Sequence, residues 1–546
     1  LFFEHTDDRT DFVGRVEALV GKRKHGVHDV LKSSAYDSAM TGLDVSQPRI
    51  SDYHFRHKHV ARQAGDASKR NGRRHMAQFG NEEIGRAPHG PRDASGKRSL
   101  SERFTEWSLN WVPDSMVFVV ALTVVVFLLA LGLTPHGPME LLDDYAKGFW
   151  VLLTFAMQLT VMMITGFVVA DSKPVKSTLI RIVGIPRTAR STLIMFCLIV
   201  GIVAWLHWAA GLMVAIIMGK EIAVRKRGIG LHYPVLVASA YAMMMLMANG
   251  PSQSAPLLAA TAGNFLEKSI GGLIPLTQTA LSPFLLVFVL FELLTIPFIF
   301  VWLTPRMESA VDITDEIHDE FTQAPPAENT RRSDLRPAER WERSRLPLSI
   351  VGIGILFWIA NFVATHGIGK IDLNVINFAL FGIGMVLHGS ARSFVASVKQ
   401  GVGTTSGVII QFPLYAGIFG LIVHSGLSEV ITHWFLSIST PRTYAWIVVI
   451  YTTIMDFFVP SGGSKFAIEA PYIIAAGQKL GIPVAHVINA YSTGGQLANL
   501  IQPFWALPFI TAFRVRFQDI LPYTFVIFIY AIVLASIAFL VLPAGL

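Results

Sequence analysis

The sequence predicts an all-α polytopic membrane protein built as two inverted repeats, each with a re-entrant helical hairpin and a broken transmembrane helix. Three observations predict it. The 546 residues are 52% hydrophobic and only 15% charged, with a mean hydropathy of +0.49, whereas soluble domains carry about 25% charged residues. Apolar runs near 20 residues, the length that crosses a bilayer as a helix, recur from residue 116 onward. Clusters of Gly, Pro, Ser, Asn and Gln interrupt two of these runs at corresponding places in the two halves.

Residues 1–100 precede the first apolar run. "HFRHKHVARQAGDASKRNGRRHMAQFG" is polar and lacks lasting periodicity, so it reads as a solvated tail. His54, His57 and His59 are close together, but no second group of ligands at fixed spacing accompanies them. The chain begins with Leu1, and this reading places the biological start at Met76 or nearby. No apolar core follows the basic residues until residue 116, so no signal peptide is expected.

Nine spans follow, at 116–133, 148–170, 233–262, 281–304, 347–365, 372–388, 400–423, 486–513 and 520–544. The first transmembrane half is thus 101–304 and the second 347–546, joined by a mixed-charge, Pro-containing linker at 305–346. Two stretches, 191–225 and 443–478, have about 35 residues each and are too short for two full crossings. They read as hairpins that dip in and return on the same side. Cys197, the single cysteine, lies in "STLIMFCLIVGIVAW", which excludes an intrachain disulfide and suggests a buried bystander.

The net charge of +7 reflects where Lys and Arg sit rather than a nucleic-acid partner. With the N-terminus inside, the cytoplasmic connections hold 19 Lys and Arg and the outer ones 5, as the positive-inside rule requires. The C-terminus is then outside, in a cell membrane that is expected to be a bacterial inner membrane.

The order of pieces recurs. A span, a hairpin, a polar-interrupted span and another span follow residue 148, and the same series follows residue 400. "LHWAAGLMVAI" corresponds to "MDFFVPSGGSKFAI", setting His207 against Asp456 and Trp208 against Phe457. "MANGPSQSAPLLAATAGN" and "LANLIQPFWALPF" both carry Ala-Asn, at Asn249 and Asn499, followed by Gln and Pro. Five crossings separate the two units, so they must lie upside down to each other. Inverted repeats with paired broken helices point to a secondary transporter and to its site.

Broken backbone in lipid leaves N–H and C=O groups unpaired at several kcal/mol each, unless it is packed in protein or lines a wet cavity. Pro460-Ser461-Gly462-Gly463-Ser464 and the breaks at Asn249–Pro256 and Asn499–Pro503 are therefore expected to meet around a substrate. Half-helix N-termini there would suit a carboxylate, glycine would let backbone approach it, and Ser252, Gln253, Ser254 and Gln502 would add hydrogen bonds. Plainer readings fit the same residues: an external Gly-Gly turn, a satisfied buried His207, Asp456 and Lys465 at the membrane surface, and aromatic interface anchors. "SGGSK" lacks the G-x-x-x-x-G-K-[ST] spacing of a phosphate loop, and no H-E-x-x-H motif or paired acids mark a membrane enzyme.

"VPSGGSKFAIEAP" (459–471), "QPFWALP" (502–508), "PLLAATAGN" (256–264), "GFW" (148–150) and "QFPLYAGI" (411–418) resemble the short-chain fatty acid transporter family over residues 101–544. The resemblance implies membership of the ion-transporter superfamily, a carrier rather than an enzyme, and no cofactor. It also implies a homodimer moving substrate by an elevator-like shift. Carried over by position, Ser461 to Ser464 resemble the second hairpin tip, and Asn249, Ser252, Gln253, Ser254, Asn499 and Gln502 the broken-span polar residues. His207 and Asp456 stand where the family would carry an asparagine before an aromatic residue. They are candidate coupling residues, as a charge pair or proton relay. The expected cargo is a small monocarboxylate such as butyrate or acetoacetate, its tail near Trp208, Phe457 or Trp505. The coupling ion is H+ or Na+, the latter near Asn249 and Asn499. A dicarboxylate or amino-acid carrier of the same superfamily is the alternative, with a channel or membrane enzyme behind it.

Overall fold

A computed structural model describes residues 115–323 and 335–541. The tail at 1–100, its histidines and the Met76 start lie outside the described residues, as does the middle of the linker. In chain order the main helices are α1 (Ser115–Leu133), α2 (Pro138–Gly148), α3 (Leu153–Asp171), α4 (Lys173–Val183), α5 (Ala189–Leu206), α6 (Trp208–Arg225), α7 (Tyr233–Ala242), α8 (Ser254–Ala260) and α9 (Pro283–Leu303). There follow α10 (Leu346–His366), α11 (Leu373–His388), α12 (Ala391–Val402), α13 (Ser406–His424), α14 (Leu427–Ile438), α15 (Tyr444–Phe458), α16 (Gly462–Lys479), α17 (Val484–Gly494), α18 (Leu507–Phe513) and α19 (Phe517–Val541). Among the described residues there is no strand, and eight helical segments are long and apolar enough to cross a membrane.

Those eight agree with the sequence reading at seven of its nine spans. The segment at 372–388 forms α11, a shorter apolar helix. That at 486–513 is divided into α17, a 3₁₀ turn at Ala498–Ile501 and α18. The eighth segment is α5, the first arm of a predicted hairpin. Arms α5 and α6 have 18 residues each, about 27 Å of helix at 1.5 Å per residue. Length therefore does not separate a dip from a crossing. The tip does: His207 alone joins the arms, in extended conformation, and the backbone N–H of Trp208 donates to Ser252 Oγ at 3.1 Å. Ser252 lies in the break between the 3₁₀ turn Met243–Asn249 and α8, inside the interrupted span. Arms α15 and α16 likewise turn at Val459–Ser461.

Four amphipathic helices, α2, α4, α12 and α14, were not among the predicted elements. With 11 or 12 residues each, they are too short to cross and bury one side only, which a search for 20-residue apolar runs passes over. The order span, amphipathic helix, hairpin, broken helix, span occurs at α3–α9 and again at α13–α19.

Close backbone approach fixes the break. A Cβ added to Gly250 would stand 2.0 Å from the carbonyl oxygen of Trp205 on α5, while the Trp205 indole Nε1–H donates to the Asn249 carbonyl at 3.1 Å. We expect Gly250→Ala to lower the thermal midpoint in detergent by the equivalent of about 1–3 kcal/mol. Gly354→Ala, on exposed α10 with open space around it, should stay within about 0.5 kcal/mol. Equal melting of the two variants would show that the contact does not constrain the break.

Candidate functional site

The second hairpin tip is the centre of the site. Ser461 precedes α16 in extended conformation, and no side chain caps that helix. Its Gly462 and Gly463 are small for a reason. A Cβ on Gly462 would lie 3.1 Å from Gln253 Oε1 and 3.5 Å from Gln496 Nε2, and one on Gly463 would lie 3.0 Å from Leu159. Ser464 Oγ donates to Ser461 Oγ at 2.6 Å. The tip is tied from outside by two long-range bonds: Trp505 Nε1–H to the Pro460 carbonyl at 2.9 Å, and Tyr491 O–H to the Gly462 carbonyl at 2.9 Å.

A chain of amides runs toward this tip. Gln502 Nε2 donates to Asn499 Oδ1 at 2.6 Å, and Asn499 Nδ2 donates to Gln496 Oε1 at 2.8 Å. With its oxygen occupied, Gln496 has its donor, Nε2, on the side of Gly462. Gln253 Oε1 accepts from the Ser254 N–H at 2.7 Å and so caps α8. The first hairpin differs from the second, because its helix end is already closed. His207 Nδ1 accepts from the Ala210 N–H at 3.3 Å, and Ser252 holds the Trp208 N–H.

Beside the amide chain lies a narrow cavity walled by Trp208, Trp505, Tyr241, Met244, Phe509 and Leu212, with Gln496 and Asn499 at one side. The two tryptophans meet edge-to-face, ring centres 6.0 Å apart, a favoured aromatic geometry. Free space is about 20 Å³, close to the size that admits a single water. The arrangement offers N–H donors at one end and an apolar slot at the other.

The structure thus brings together Trp208, Gln253, Ser254, Pro460 to Ser464, Asn499 and Gln502, with Ser252 at the first tip. Asn249 is turned elsewhere: its Oδ1 accepts from Thr493 Oγ1 at 2.8 Å, bonding the two broken helices. The oxygens that the Na+ reading assigned to Asn249 and Asn499 accept from Thr493, Trp205, Gln502 and Tyr241. His207 and Asp456 have different partners. The His207 ring packs against Gly166 of α3, where an added Cβ would lie 2.2 Å from Cε1. Asp456 accepts from Lys465 Nζ at 3.0 Å across its own hairpin. Both members of that ion pair are at most 1% exposed, so both are enclosed by protein. The sequence reading missed Gln496, Tyr491 and Thr493, although Gly494-Gly495 stands between Thr493 and Gln496 and is a signal that could have found them.

Hairpins meeting broken helices around one polar cleft, in a chain of apolar helices, define a membrane transporter. The family model of the short chain fatty acid transporter matches residues 97–542, and the chain belongs to that family. Two curated relatives carry the same family's name. One, from Escherichia coli (strain K12), is 32% identical over 424 residues, 78% of this chain and 95% of its own length. The other, from Haemophilus influenzae, is 30% identical over 449 residues, 81% of this chain and 99% of its own. Among solved structures, the chain is similar in fold to Neisseria gonorrhoeae MtrF, described with a class of antimetabolite efflux pumps (TM-score 0.54, 15% identity, covering 81% of this chain and 98% of that one). The Alcanivorax borkumensis YdaH transporter gives a TM-score of 0.51 at 13% identity, covering 78% and 98%.

Truncating one partner of a buried ion pair typically costs about 3–5 kcal/mol. Lys465→Met should therefore melt far below the parent protein in detergent, and Lys465→Met combined with Asp456→Leu should recover much of the loss. Single and double variants melting alike would mean that the pair is not desolvated.

Proposed function

We propose that the protein is a secondary transporter of small monocarboxylates such as butyrate or acetoacetate, working as a cation-coupled symporter. The uncapped N-terminus of α16 is the observation that carries this reading. Its N–H groups and dipole favour an anion, Gln496 Nε2 adds a directed donor, and the apolar walls of Trp208 and Trp505 would line a short aliphatic tail once the hairpins part. A second carboxylate would need a second open helix end, and the first hairpin's is closed by His207 and Ser252. This favours one carboxylate over two.

Importing an anion against an inside-negative potential costs about 2.3 kcal/mol per 100 mV. One accompanying H+ or Na+ cancels that term, and a concentration gradient or further cation drives accumulation. The cleft is too small to hold the cargo as it stands, so loading requires the hairpins to move relative to the helices around them. We infer an elevator-like shift of two inverted repeats within a homodimer in a bacterial inner membrane, N-terminus inside and C-terminus outside. The repeated order of elements and the excess of Lys and Arg in alternate connections support this reading. No cofactor enters the cycle.

Labelled butyrate uptake into proteoliposomes, under separate proton and sodium gradients, tests the proposal, with acetoacetate and succinate as competitors. Protein-free vesicles supply the baseline, since a protonated fatty acid crosses lipid unaided. Saturable uptake that yields to acetoacetate and not to succinate is expected. Gln496→Leu should raise KM about tenfold or more, the loss of a hydrogen bond to a charged group. Competition by succinate alone would transfer the reading to dicarboxylates.

A further inference from the structure

We propose that Glu469 is the proton-binding group of the transport cycle, held by the buried cluster Asp456–Lys465–Glu469 on the second hairpin; this rests on the symporter reading above. Glu469 is fully buried on α16, and neither carboxylate oxygen has a hydrogen-bond partner. It lies one turn beyond Lys465, so the two share a helix face. Lys465 is committed elsewhere: Nζ donates to Asp456 Oδ1 at 3.0 Å and to the Thr452 carbonyl at 3.1 Å, and sits 5.4 Å from the centre of the Tyr491 ring.

The other groups facing Glu469 are Tyr472 on its own helix, Asp456 and Tyr451 from α15, and Tyr491 from α17. None of their hydroxyls bonds Glu469. Tyr451 and Tyr472 bond each other at 2.8 Å, and Tyr491 donates to the Gly462 carbonyl. Two carboxylates therefore share one ammonium away from water. Ionised throughout, the cluster carries an uncompensated negative charge, which a dry interior disfavours. A single proton removes it. Asp456 has the direct bond to Lys465, so the proton sits on a Glu469 oxygen.

Glu469 lies seven residues along α16 from Gly462, about 10 Å at 1.5 Å per residue. The anion site and the proton site thus belong to one helix and would travel together. The proton enters from the side of higher proton activity, and both leave on the other side, so no net charge crosses. Two other buried polar groups are weaker carriers. His207 has an unpartnered Nε2, but its Nδ1 must remain an acceptor to cap α6, and no counter-charge faces it. Glu292 has an unpartnered oxygen on α9, outside both hairpins.

The test compares wild type, Glu469→Gln and His207→Asn in two assays. In proteoliposomes, Glu469→Gln should lose the stimulation of net uptake by an inward proton gradient while still exchanging labelled for unlabelled butyrate, because glutamine imitates the neutral acid. His207→Asn should keep the stimulation. Separately, infrared difference spectra between acid and alkaline samples of substrate-free protein should show a buried protonated carboxyl band that Glu469→Gln lacks. Should that variant not fold, Glu469→Asp and carbon-13 carboxyl labelling of glutamate in wild type give the same spectral reading. Proton-stimulated uptake by Glu469→Gln equal to wild type would overturn the proposal, as would the absence of a glutamate band or uptake driven by sodium alone. If wild type moves no butyrate but shows the band, the cargo reading fails and the proton site stands.

Discussion

A backbone that breaks inside an apolar span leaves carbonyls and amides with no water to satisfy them, and the protein's interior is arranged around closing those gaps. The Asn249 carbonyl takes the Trp205 indole, the Pro460 carbonyl the Trp505 indole, the Gly462 carbonyl the Tyr491 hydroxyl, and the Asn499 carbonyl the Tyr241 hydroxyl. Three of these bonds run between a hairpin and a broken helix of the same half, and Tyr241 to Asn499 runs between halves. Thr493 to Asn249 adds a second link across the halves. Each gap is filled by a residue remote in the chain, and the Asn499 carbonyl is closed from the other half.

The same constraint orders the charges. A lysine and two carboxylates on one hairpin can stay buried only because the Thr452 carbonyl, the Tyr491 ring and Asp456 surround the ammonium. Such a cluster is weak evidence of stability, since a well-packed apolar substitute is often as stable, and it makes more sense as a place where a proton is taken up. At the far ends of the helices, charges are exposed and act differently. Arg227 meets Asp315 at 2.7 Å, Arg514 meets Glu320 at 2.9 Å, and Lys220 lies over Phe321. The short helix Asp315–Thr322 of the linker thus spans from the first hairpin's base to the end of the second broken helix. Surface pairs of this kind contribute little singly, but together they fasten the linker at its start.

Much of the candidate site was legible in the sequence. Gly462-Gly463, Pro460 and the Asn249 and Asn499 breaks announce themselves, because glycine and proline act on their own backbone and need no distant partner to do so. Gln496 and Tyr491 were passed over: Gly494-Gly495 stands directly before Gln496, but a Gly-Gly pair does not say that the glutamine after it faces the tip of a hairpin. The matching of His207 to Asp456 by position does not set equivalent places of the two hairpins against each other, and the two residues have different partners. His207 is the tip of its hairpin and turns to Gly166, whereas Asp456 lies one turn short of the tip, where the returning arm presents Lys465.

Composition, the spacing of apolar runs and the Lys and Arg bias are properties of the chain read in order, so the sequence by itself determined a helical membrane protein, its interrupted spans and its family. The amphipathic helices α2, α4, α12 and α14 escaped because their apolar side is only half a surface. Tertiary structure alone decided which amide ends the Gln502–Asn499–Gln496 relay, which helix end is left open for an anion, and which carboxylate is left without a partner. The relay's own bonds join residues three apart, but where it ends, and which groups stay without a partner, depends on how the second hairpin packs against the broken helix, and such packing leaves no periodic trace in the sequence.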